Sequence, residues 1–285
     1  MKAIEFTTAD GTVLSARLFE GKATPGALPV LIGSALAVHQ RYYAAFAQWL
    51  ADQGRCVMSF DVRGLGGSLP PGISVRNVQG DMLTWAQQDF AAAVQTLCDH
   101  TGASQVNVIA HSLGSHHPAM CLPPTQAQVA KLVSVAAGSG YWRNWSAPSR
   151  RLAPLLLHVA VPALTPLFGY FPGKRLGMVG DLPQGMINQW AGWCRHPDFA
   201  WGKQPELIRP LMQAARYPIS AVSFSDDEAM SVTATEKYLA ALPNAPSTLA
   251  LVTPEQMGVK RIGHLGAFRT EQQATLWPRL ASLLA

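Results

Sequence analysis

The stretch that decides the fold is QVNVIAHSLGSHH, residues 105–117. Its first half is an apolar run over residues 106–109, which predicts a buried β-strand. The run ends at Ser112, which has a small residue two positions away on each side, Ala110 and Gly114. A tight strand-to-helix turn needs such neighbours because the backbone at its apex is strained and crowded. The sequence therefore predicts a turn that lifts the Ser112 hydroxyl clear of a sheet.

Other segments show that this strand belongs to a larger sheet. A hairpin signal covers residues 3–8 and 12–19, and buried-strand patterns follow at 29–33, 55–60, 131–138, 218–225 and 247–252. Helical patterns lie between them, at 42–51, 77–100, 232–242 and 270–284. Strands that alternate with helices form a mostly parallel sheet with helices on both faces. We therefore expect an α/β fold built on a central sheet of about eight strands.

The composition limits the class of protein. Hydrophobic residues make up 48% of the 285 residues and charged residues 14%, which excludes a disordered chain. The net charge is +5, but the 22 basic residues are scattered and form no stripe of the kind that nucleic acid needs. Four distant cysteines without metal or redox spacing fit a reducing compartment, and the N-terminus turns polar too early for a signal peptide. We expect a cytoplasmic protein with no nucleic-acid partner, no metal and no cofactor.

Three motifs resemble those of the α/β-hydrolase family. Residues 110–114, AHSLG, resemble the G-x-S-x-G nucleophile elbow, with alanine in place of the first glycine. Residues 61–68, DVRGLGGS, resemble the D-x-R-G-x-G-x-S segment that follows the fourth strand, where its role is structural. Residues 261–269, RIGHLGAFR, resemble the I-G-H-x-G-F-F-R stretch of a poorly characterised bacterial branch. The resemblance implies an α/β-hydrolase fold and a serine hydrolase.

A serine hydrolase needs a base and an acid besides its serine. The base takes the hydroxyl proton, and a carboxylate orients the base. The family order is serine, acid, histidine, which Ser112, Asp227 and His264 follow. Asp226 is the alternative acid; related sequences often have G-x-x-D here, and placing Phe224 on that glycine favours Asp227. The other acid is expected to cap the helix that follows.

The resemblance also implies two backbone N–H groups that hold an oxyanion. The first is the N–H of Leu113, directly after the serine. The second belongs to the loop after strand 29–33, where the family often has His-Gly and this chain has Gly33-Ser34. We expect the N–H of Ala35 to be this donor, with that of Leu36 as the alternative.

Other polar residues near these motifs are candidates for the pocket. His111, in the position before the serine, and Tyr43 are predicted to line the substrate pocket. His116 and His117 lie one turn into the next helix, and no third ligand follows at a recognisable metal spacing. They are expected at the edge of the core or facing a cap.

Residues 140–216 differ in composition, with five of the eight tryptophans and many prolines. The resemblance implies a helical cap inserted after the sixth strand. The predicted organisation is a first core part over 1–139, a cap over 140–216 and a second core part over 217–285. Residues 152–168 are apolar but hold three prolines and fall short of the ~20 residues that a membrane span needs. We expect a greasy lid and no stable span.

The motifs favour hydrolysis of carboxylic esters, with thioesters and amides as alternatives. The expected partner is a small-molecule substrate with an apolar portion. Acyl transfer, C–C bond hydrolysis and cofactor-free peroxidase chemistry use the same triad and remain alternatives. A non-catalytic binding module is a further alternative, to which Ala110 and the missing His-Gly point. The sequence predicts no oligomeric state.

Overall fold

The computed structural model describes residues 1–22, 24–178 and 180–285. In these residues the strands are β1 (Lys2–Thr7), β2 (Val13–Phe19), β3 (Val30–Gly33), β4 (Val57–Phe60), β5 (Val106–His111), β6 (Val129–Val135), β7 (Tyr170–Phe171), β8 (Leu182–Pro183), β9 (Ile219–Phe224) and β10 (Ser247–Val252). Eight of them form one sheet in the order β1-β2-β4-β3-β5-β6-β9-β10, and β7 pairs with β8. All pairings from β4 to β10 in the large sheet are parallel, whereas β1 and β2 pair antiparallel. This is the α/β-hydrolase sheet that the sequence predicts.

Helices connect these strands. The α-helices are Ala44–Asp52, Met82–Thr84, Ala91–Thr101, His117–Met120, Pro123–Ala127, Ala147–Leu155, Val161–Phe168, Gln184–Arg195, Phe199–Lys203, Pro205–Ala214, Val232–Ala240 and Leu276–Ser282. Two π-helical segments, Trp85–Phe90 and Leu156–Ala160, join pairs of these helices end to end. Short 3-10 helices lie at several loop ends.

Two predicted helices begin later than their hydrophobic pattern suggests. The helix expected over 77–100 starts at Met82, because the Asp81 carboxylate accepts the Thr84 N–H and the Thr84 hydroxyl accepts the Asp81 N–H. The helix expected over 270–284 is a 3-10 turn followed by Leu276–Ser282. Pro278 has no N–H, so it fits only the first turn of a helix, and the continuous helix cannot start much earlier.

Side chains on successive strand residues enter two different cores. Leu31, Val108 and Leu132 pack on one face with the helices between Met82 and Thr101. Ile32, Ile109 and Val133, one residue further on, pack on the other face with Ala44–Asp52 and Leu276–Ser282. This alternation places helices on both faces of the sheet, as parallel strands require.

The strand order creates a crevice at one edge of the sheet. β3 lies between β4 and β5, so the chain leaves β3 on one side and arrives at β5 from the other. Loops that follow the carboxyl ends of such strands diverge, and ligands of open α/β sheets bind in the gap. The loops after β3 and β5 are the ones that hold Ala35 and Ser112.

The glycine-rich turn at residues 61–68 is held by its own polar side chains. The Asp61 carboxylate accepts the backbone N–H groups of Gln40 at 2.7 Å and Gly67 at 3.0 Å. The Arg63 guanidinium lies 2.7 Å from carboxylate oxygens of both Asp10 and Asp89. The segment therefore joins distant parts of the core, which is the structural role that its resemblance implies.

Residues 140–216 connect β6 to β9 and hold the longest helical run of the described chain. Ala147–Phe168 is a continuous helix of 22 residues, which we call the apolar helix. By length and composition it is long and apolar enough to cross a membrane, with a mean hydropathy of 1.5. The expectation that this segment is too short for a span is therefore wrong, because the helix starts five residues before the apolar run does.

Candidate active site

Ser112 lies at the apex of the sharp turn between β5 and a short 3-10 helix, Ser112–His116. Its φ of 51° is in the left-handed region, which is strained for a residue with a side chain. Gly114 makes the turn possible, because a Cβ at that position would lie 2.6 Å from the Ser34 carbonyl oxygen. The loops after β3 and β5 therefore touch through backbone atoms at this point.

The alanine at the first small position of the motif is accommodated by the neighbouring strand. Ala110 pairs with Gly33 in the parallel register of β5 and β3. A Cβ on Gly33 would come within 3.0 Å of the Ala110 Cβ. The glycine that the motif lacks at position 110 is thus replaced by one on the adjacent strand, so the departure from G-x-S-x-G does not distort the turn.

The structure brings the predicted serine, histidine and acid together. The Ser112 Oγ lies 3.0 Å from the His264 Nε2. The His264 Nδ1 lies 2.9 Å from one Asp227 carboxylate oxygen and 3.1 Å from the other. Asp227 is held in turn by the N–H groups of Ala229 and Met230, each donating at 2.7 Å. This geometry suits proton transfer from serine to histidine with a carboxylate that fixes the imidazole.

The neighbouring acids hold the histidine loop rather than the imidazole ring. The Asp226 carboxylate accepts the N–H groups of Ile262 at 2.8 Å and Gly263 at 3.1 Å. The geometry therefore favours Asp227 over Asp226 as the acid of the triad. Neither caps the next helix, because the Ser231 hydroxyl accepts the N–H of Ala234 in that position.

Glu228 is a site residue that the sequence interpretation missed. Its carboxylate accepts the His264 backbone N–H at 3.0 Å and pairs with Arg261 at 3.1 Å. The N–H bond from His264 and the Arg261 pair lower the pKa of Glu228 against the opposing effect of burial, which is the largest single influence. The run of three acids after β9 was the available signal, since all three face the loop that carries the histidine.

A buried polar chain links the loop after β3 to the histidine loop. The Ala35 N–H donates to the Tyr43 hydroxyl at 2.9 Å, and that hydroxyl donates to the His111 Nδ1 at 3.0 Å. The His111 Nε2 donates to the His264 carbonyl oxygen at 2.8 Å. The carbonyl can only accept, so this network assigns the proton of His111 to Nε2. Burial, the largest cause, and nearby His264 lower the pKa of His111 to about 3, which keeps the ring neutral.

This chain corrects three expectations. His111 and Tyr43 are fully buried, and neither is among the described residues that line the cavity next to Ser112, so they do not contact substrate there. The Ala35 N–H is occupied by the Tyr43 hydroxyl and is not free for an oxyanion. Leu36, the alternative, lines the same cavity as Ser112 and Leu113. Leu113 is in the first turn of its helix, where N–H groups have no acceptor within the helix.

The two histidines after the elbow are buried in the core. The His116 Nε2 donates to the Gly138 carbonyl oxygen at 3.1 Å, and His116 also lines the cavity. His117 packs against Trp85 and Phe90, and neither ring nitrogen has a hydrogen-bond partner among the described residues. Burial lowers the pKa of His116 to about 4 and that of His117 to about 3. Both rings are therefore neutral.

A cavity of about 610 Å³ opens next to Ser112 and His264. Residues after β6 and on the apolar helix form most of its wall, including Trp145, Leu156 and Trp190. Glu228 is the sole acid among the described residues that line it, and its carboxylate is already engaged. The cavity therefore suits an apolar group, held within reach of the serine.

Comparison with known proteins supports this assignment. A family model described as serine aminopeptidase, S33, matches residues 28–181, which is more than half of the chain. No curated protein matches the chain. Among solved structures, a thermophilic esterase from Thermogutta terrifontis is similar with 16% identity and a TM-score of 0.57, over 100% of both chains. A hydrolase from Pseudomonas aeruginosa PA01 has 17% identity and a TM-score of 0.58, over 100% of this chain and 98% of that chain.

A further similar structure is the enol-lactonase from Burkholderia xenovorans LB400, with 14% identity and a TM-score of 0.54 over 99% of both chains. At such identities these structures establish the fold, while the family model carries the assignment. The chain belongs to the α/β-hydrolase family, within the group described as serine aminopeptidase, S33, and it is a hydrolase.

Proposed function

We propose that the protein is a serine esterase that cleaves carboxylic esters with an apolar acyl portion. The observation that carries the proposal is the continuous series of contacts from Asp227 through His264 to Ser112, at 2.9 Å and 3.0 Å, beside the apolar cavity. A serine hydroxyl without such a base is a poor nucleophile at neutral pH.

The proposed reaction has two half-reactions. The Ser112 Oγ attacks the ester carbonyl carbon while its proton moves to the His264 Nε2. His264 then gives this proton to the departing alcohol, and an acyl group remains on Ser112. Water, deprotonated by the same Nε2, attacks the acyl carbonyl, releases the carboxylic acid and restores the serine. Asp227 holds the Nδ1 proton and stabilises the imidazolium that forms in each half-reaction.

The proposed oxyanion donors are the backbone N–H groups of Leu113 and Leu36. Leu113 follows the nucleophile, and Leu36 is in the loop that touches the elbow through Ser34 and Gly114. Each donor of this kind lowers the barrier by about 3 kcal/mol in related chemistry. The Tyr43 hydroxyl supports this arrangement because it anchors the N–H of Ala35, the residue before Leu36.

An ester fits the cavity better than a peptide N-terminus. An aminopeptidase, which the description of the family model names, needs a carboxylate to bind the α-ammonium of its substrate. The carboxylate of Glu228 is taken up by Arg261 and the His264 N–H. A desolvated ammonium would therefore be left unpaired in this cavity, which is costly.

Residues 140–216 are proposed to act as the cap of the site. The apolar helix and the helix Gln184–Arg195 contribute wall residues to the cavity. A cap that excludes water strengthens the electrostatic interactions of the transition state. We also propose a cytoplasmic protein, in line with the four cysteines, which are all free thiols.

A labelling experiment combined with a substrate series tests the proposal. A fluorophosphonate probe should label the wild type but not Ser112→Ala, and only the wild type should hydrolyse p-nitrophenyl esters. The rate should rise from acetate towards longer acyl chains, because the cavity wall is apolar. Ser115→Ala is the matched control, since Ser115 is buried and its hydroxyl donates to the Ala110 carbonyl. An active wild type that the probe leaves unlabelled, or an active Ser112→Ala, would refute the mechanism.

A further inference from the structure

The apolar helix exposes an apolar face that no described part of the chain covers. Only 22% of its 18-residue apolar window is buried. The buried residues form one stripe at a spacing of four, Ala153, Leu157, Val161 and Thr165. The opposite face carries large side chains with high exposed fractions: Leu152 at 66%, Leu155 at 61%, Val159 at 54% and Leu167 at 74%. Their spacings of three, four and eight residues keep these side chains on one side of the helix.

Basic side chains border this face. Arg150 and Arg151 are exposed just before Leu152 on the same helix. Past the other end of the helix, the Arg175 guanidinium lies over the Phe168 ring at 5.3 Å, next to exposed Lys174. Residues 140–216 contain nine Lys and Arg against three Asp and Glu, while the whole chain has a net charge of +5. The positive charge of the protein is therefore concentrated in the segment that carries the exposed apolar face.

The same face is continuous with the mouth of the cavity. Leu152 and Leu155 are exposed and also line the cavity beside Ser112. Leu176 and Met178, at 47% and 43% exposed, do the same from the segment that follows the helix. A surface that covers the helix would therefore lie directly over the entrance to the site.

We propose that this face docks the protein on the surface of an anionic lipid bilayer, with the apolar helix lying in the plane of the interface. A helix with a wide apolar face and flanking arginines binds membranes in this way, by burying apolar area and by attraction to anionic headgroups. The cavity mouth then opens towards the bilayer, so an ester with an acyl chain can enter from the lipid without crossing water.

Two other occupants of this face fit less well. A membrane-spanning helix would have to withdraw Ala153, Leu157 and Val161 from the core in which they are buried. A second copy of the chain would place two positively charged segments against each other, which is unfavourable. The opposite charge of an anionic bilayer matches both features of the face.

Sedimentation with lipid vesicles tests the proposal. The full chain should bind vesicles that contain phosphatidylglycerol, bind phosphatidylcholine vesicles at least tenfold less, and lose affinity as salt is raised. The double substitution Val159→Asp with Leu167→Asp should lower binding at least tenfold. Neither residue lines the cavity, so hydrolysis of soluble p-nitrophenyl acetate should not change. Arg151→Gln should lower binding about fivefold.

Leu122→Asp is the matched control, because Leu122 is 54% exposed and outside the cap; it should bind vesicles like the wild type. Ser112→Ala should also bind normally, so a failure of the esterase proposal leaves this test intact. Equal binding by wild type and the Val159/Leu167 variant overturns the proposal. So does a dimer that the same variant dissociates without any vesicle binding, or a bound protein that resists extraction at alkaline pH as an integral span does.

Discussion

The site region and the cap region are built on opposite physical principles. Around β3, β5 and the histidine loop, buried polar groups pair with one another, and the backbone of one loop touches that of the next within van der Waals distance. The apolar helix contributes few side-chain hydrogen bonds and leaves large apolar side chains in contact with solvent. The first region is fixed by internal contacts, whereas the second exposes surface that only something outside the chain can bury.

This difference separates precision from recognition. Proton transfer needs Ser112 and His264 within a few tenths of an ångström of one geometry, which a satisfied buried network provides. A surface that receives a variable apolar ligand needs area rather than exact contacts. Substitutions should therefore affect activity and stability strongly in the site region and only weakly on the exposed face of the apolar helix.

Acid should destabilise the site region more than any single substitution. His111, His116 and His117 have pKa values lowered by burial to about 3, 4 and 3, from 6.5 when unfolded. Unfolding then takes up protons, so the stability from these groups is complete above pH 6.5 and is lost as the pH falls below it. Between pH 7 and pH 5 the free energy of unfolding should fall by about 2 kcal/mol per histidine.

Urea denaturation at several pH values measures this loss. In His117→Leu, which removes one buried titratable ring, the fall between pH 7 and pH 5 should be smaller by about 2 kcal/mol. A parallel pH profile for wild type and variant would show that His117 is protonated in the folded protein.

The two neighbouring aspartates should differ sharply in their effect on catalysis. Asp227→Asn should lower kcat about 10⁴-fold, because an amide stabilises the wrong tautomer of His264. Asp226→Asn should lower kcat by about tenfold or less, since Asp226 contacts only the backbone of the histidine loop. Steady-state hydrolysis of one ester by both variants measures this, and comparable losses would contradict the assignment of Asp227.

Backbone contact at the elbow predicts a large cost for a single methyl group. In Gly114→Ala the new Cβ would lie 2.6–2.7 Å from backbone atoms of Gly33 and Ser34. The free energy of unfolding should fall by about 3 kcal/mol, with loss of fluorophosphonate labelling. Gly192→Ala is the control, since a Cβ there meets nothing within 4 Å; thermal denaturation of both variants makes the comparison. Equal melting temperatures would show that the two loops do not touch.

The buried polar chain should be worth less than the elbow. Tyr43→Phe removes the hydroxyl that joins the Ala35 N–H to the His111 Nδ1 and leaves both without a partner. The expected loss is about 2 kcal/mol of unfolding free energy, with a several-fold lower kcat. Denaturant titration together with ester kinetics checks both effects, and unchanged kcat would separate this chain from the oxyanion loop.

The smallest effect is expected on the exposed face of the cap. Leu167→Ser changes a side chain that is 74% exposed, so the free energy of unfolding should stay within about 0.5 kcal/mol of wild type. Thermal denaturation measures this directly. A loss of several kcal/mol would mean that the residue is buried in solution, for example against another copy of the chain.

Several features of the protein could be predicted from the sequence because they depend on local chemistry. The apolar run before Ser112 predicts the buried strand, and the alternation of strands and helices predicts the parallel sheet. The family motifs named Ser112, Asp227 and His264 as residues that would meet although they are far apart in the chain. The choice between Asp226 and Asp227, in contrast, rests on a one-residue difference in position after β9, which no pattern of residue types encodes.

The sequence by itself determined the strands, the elbow and the composition of the cap, since these follow from periodicity, small residues and apolar content within short segments. Only the tertiary structure decided that the Ala35 N–H binds Tyr43, that Glu228 holds the histidine loop, and that one face of the apolar helix is exposed. These facts depend on which distant groups become neighbours. Hydrogen-bond partners and solvent exposure are properties of that packing, and the residue types alone do not specify them.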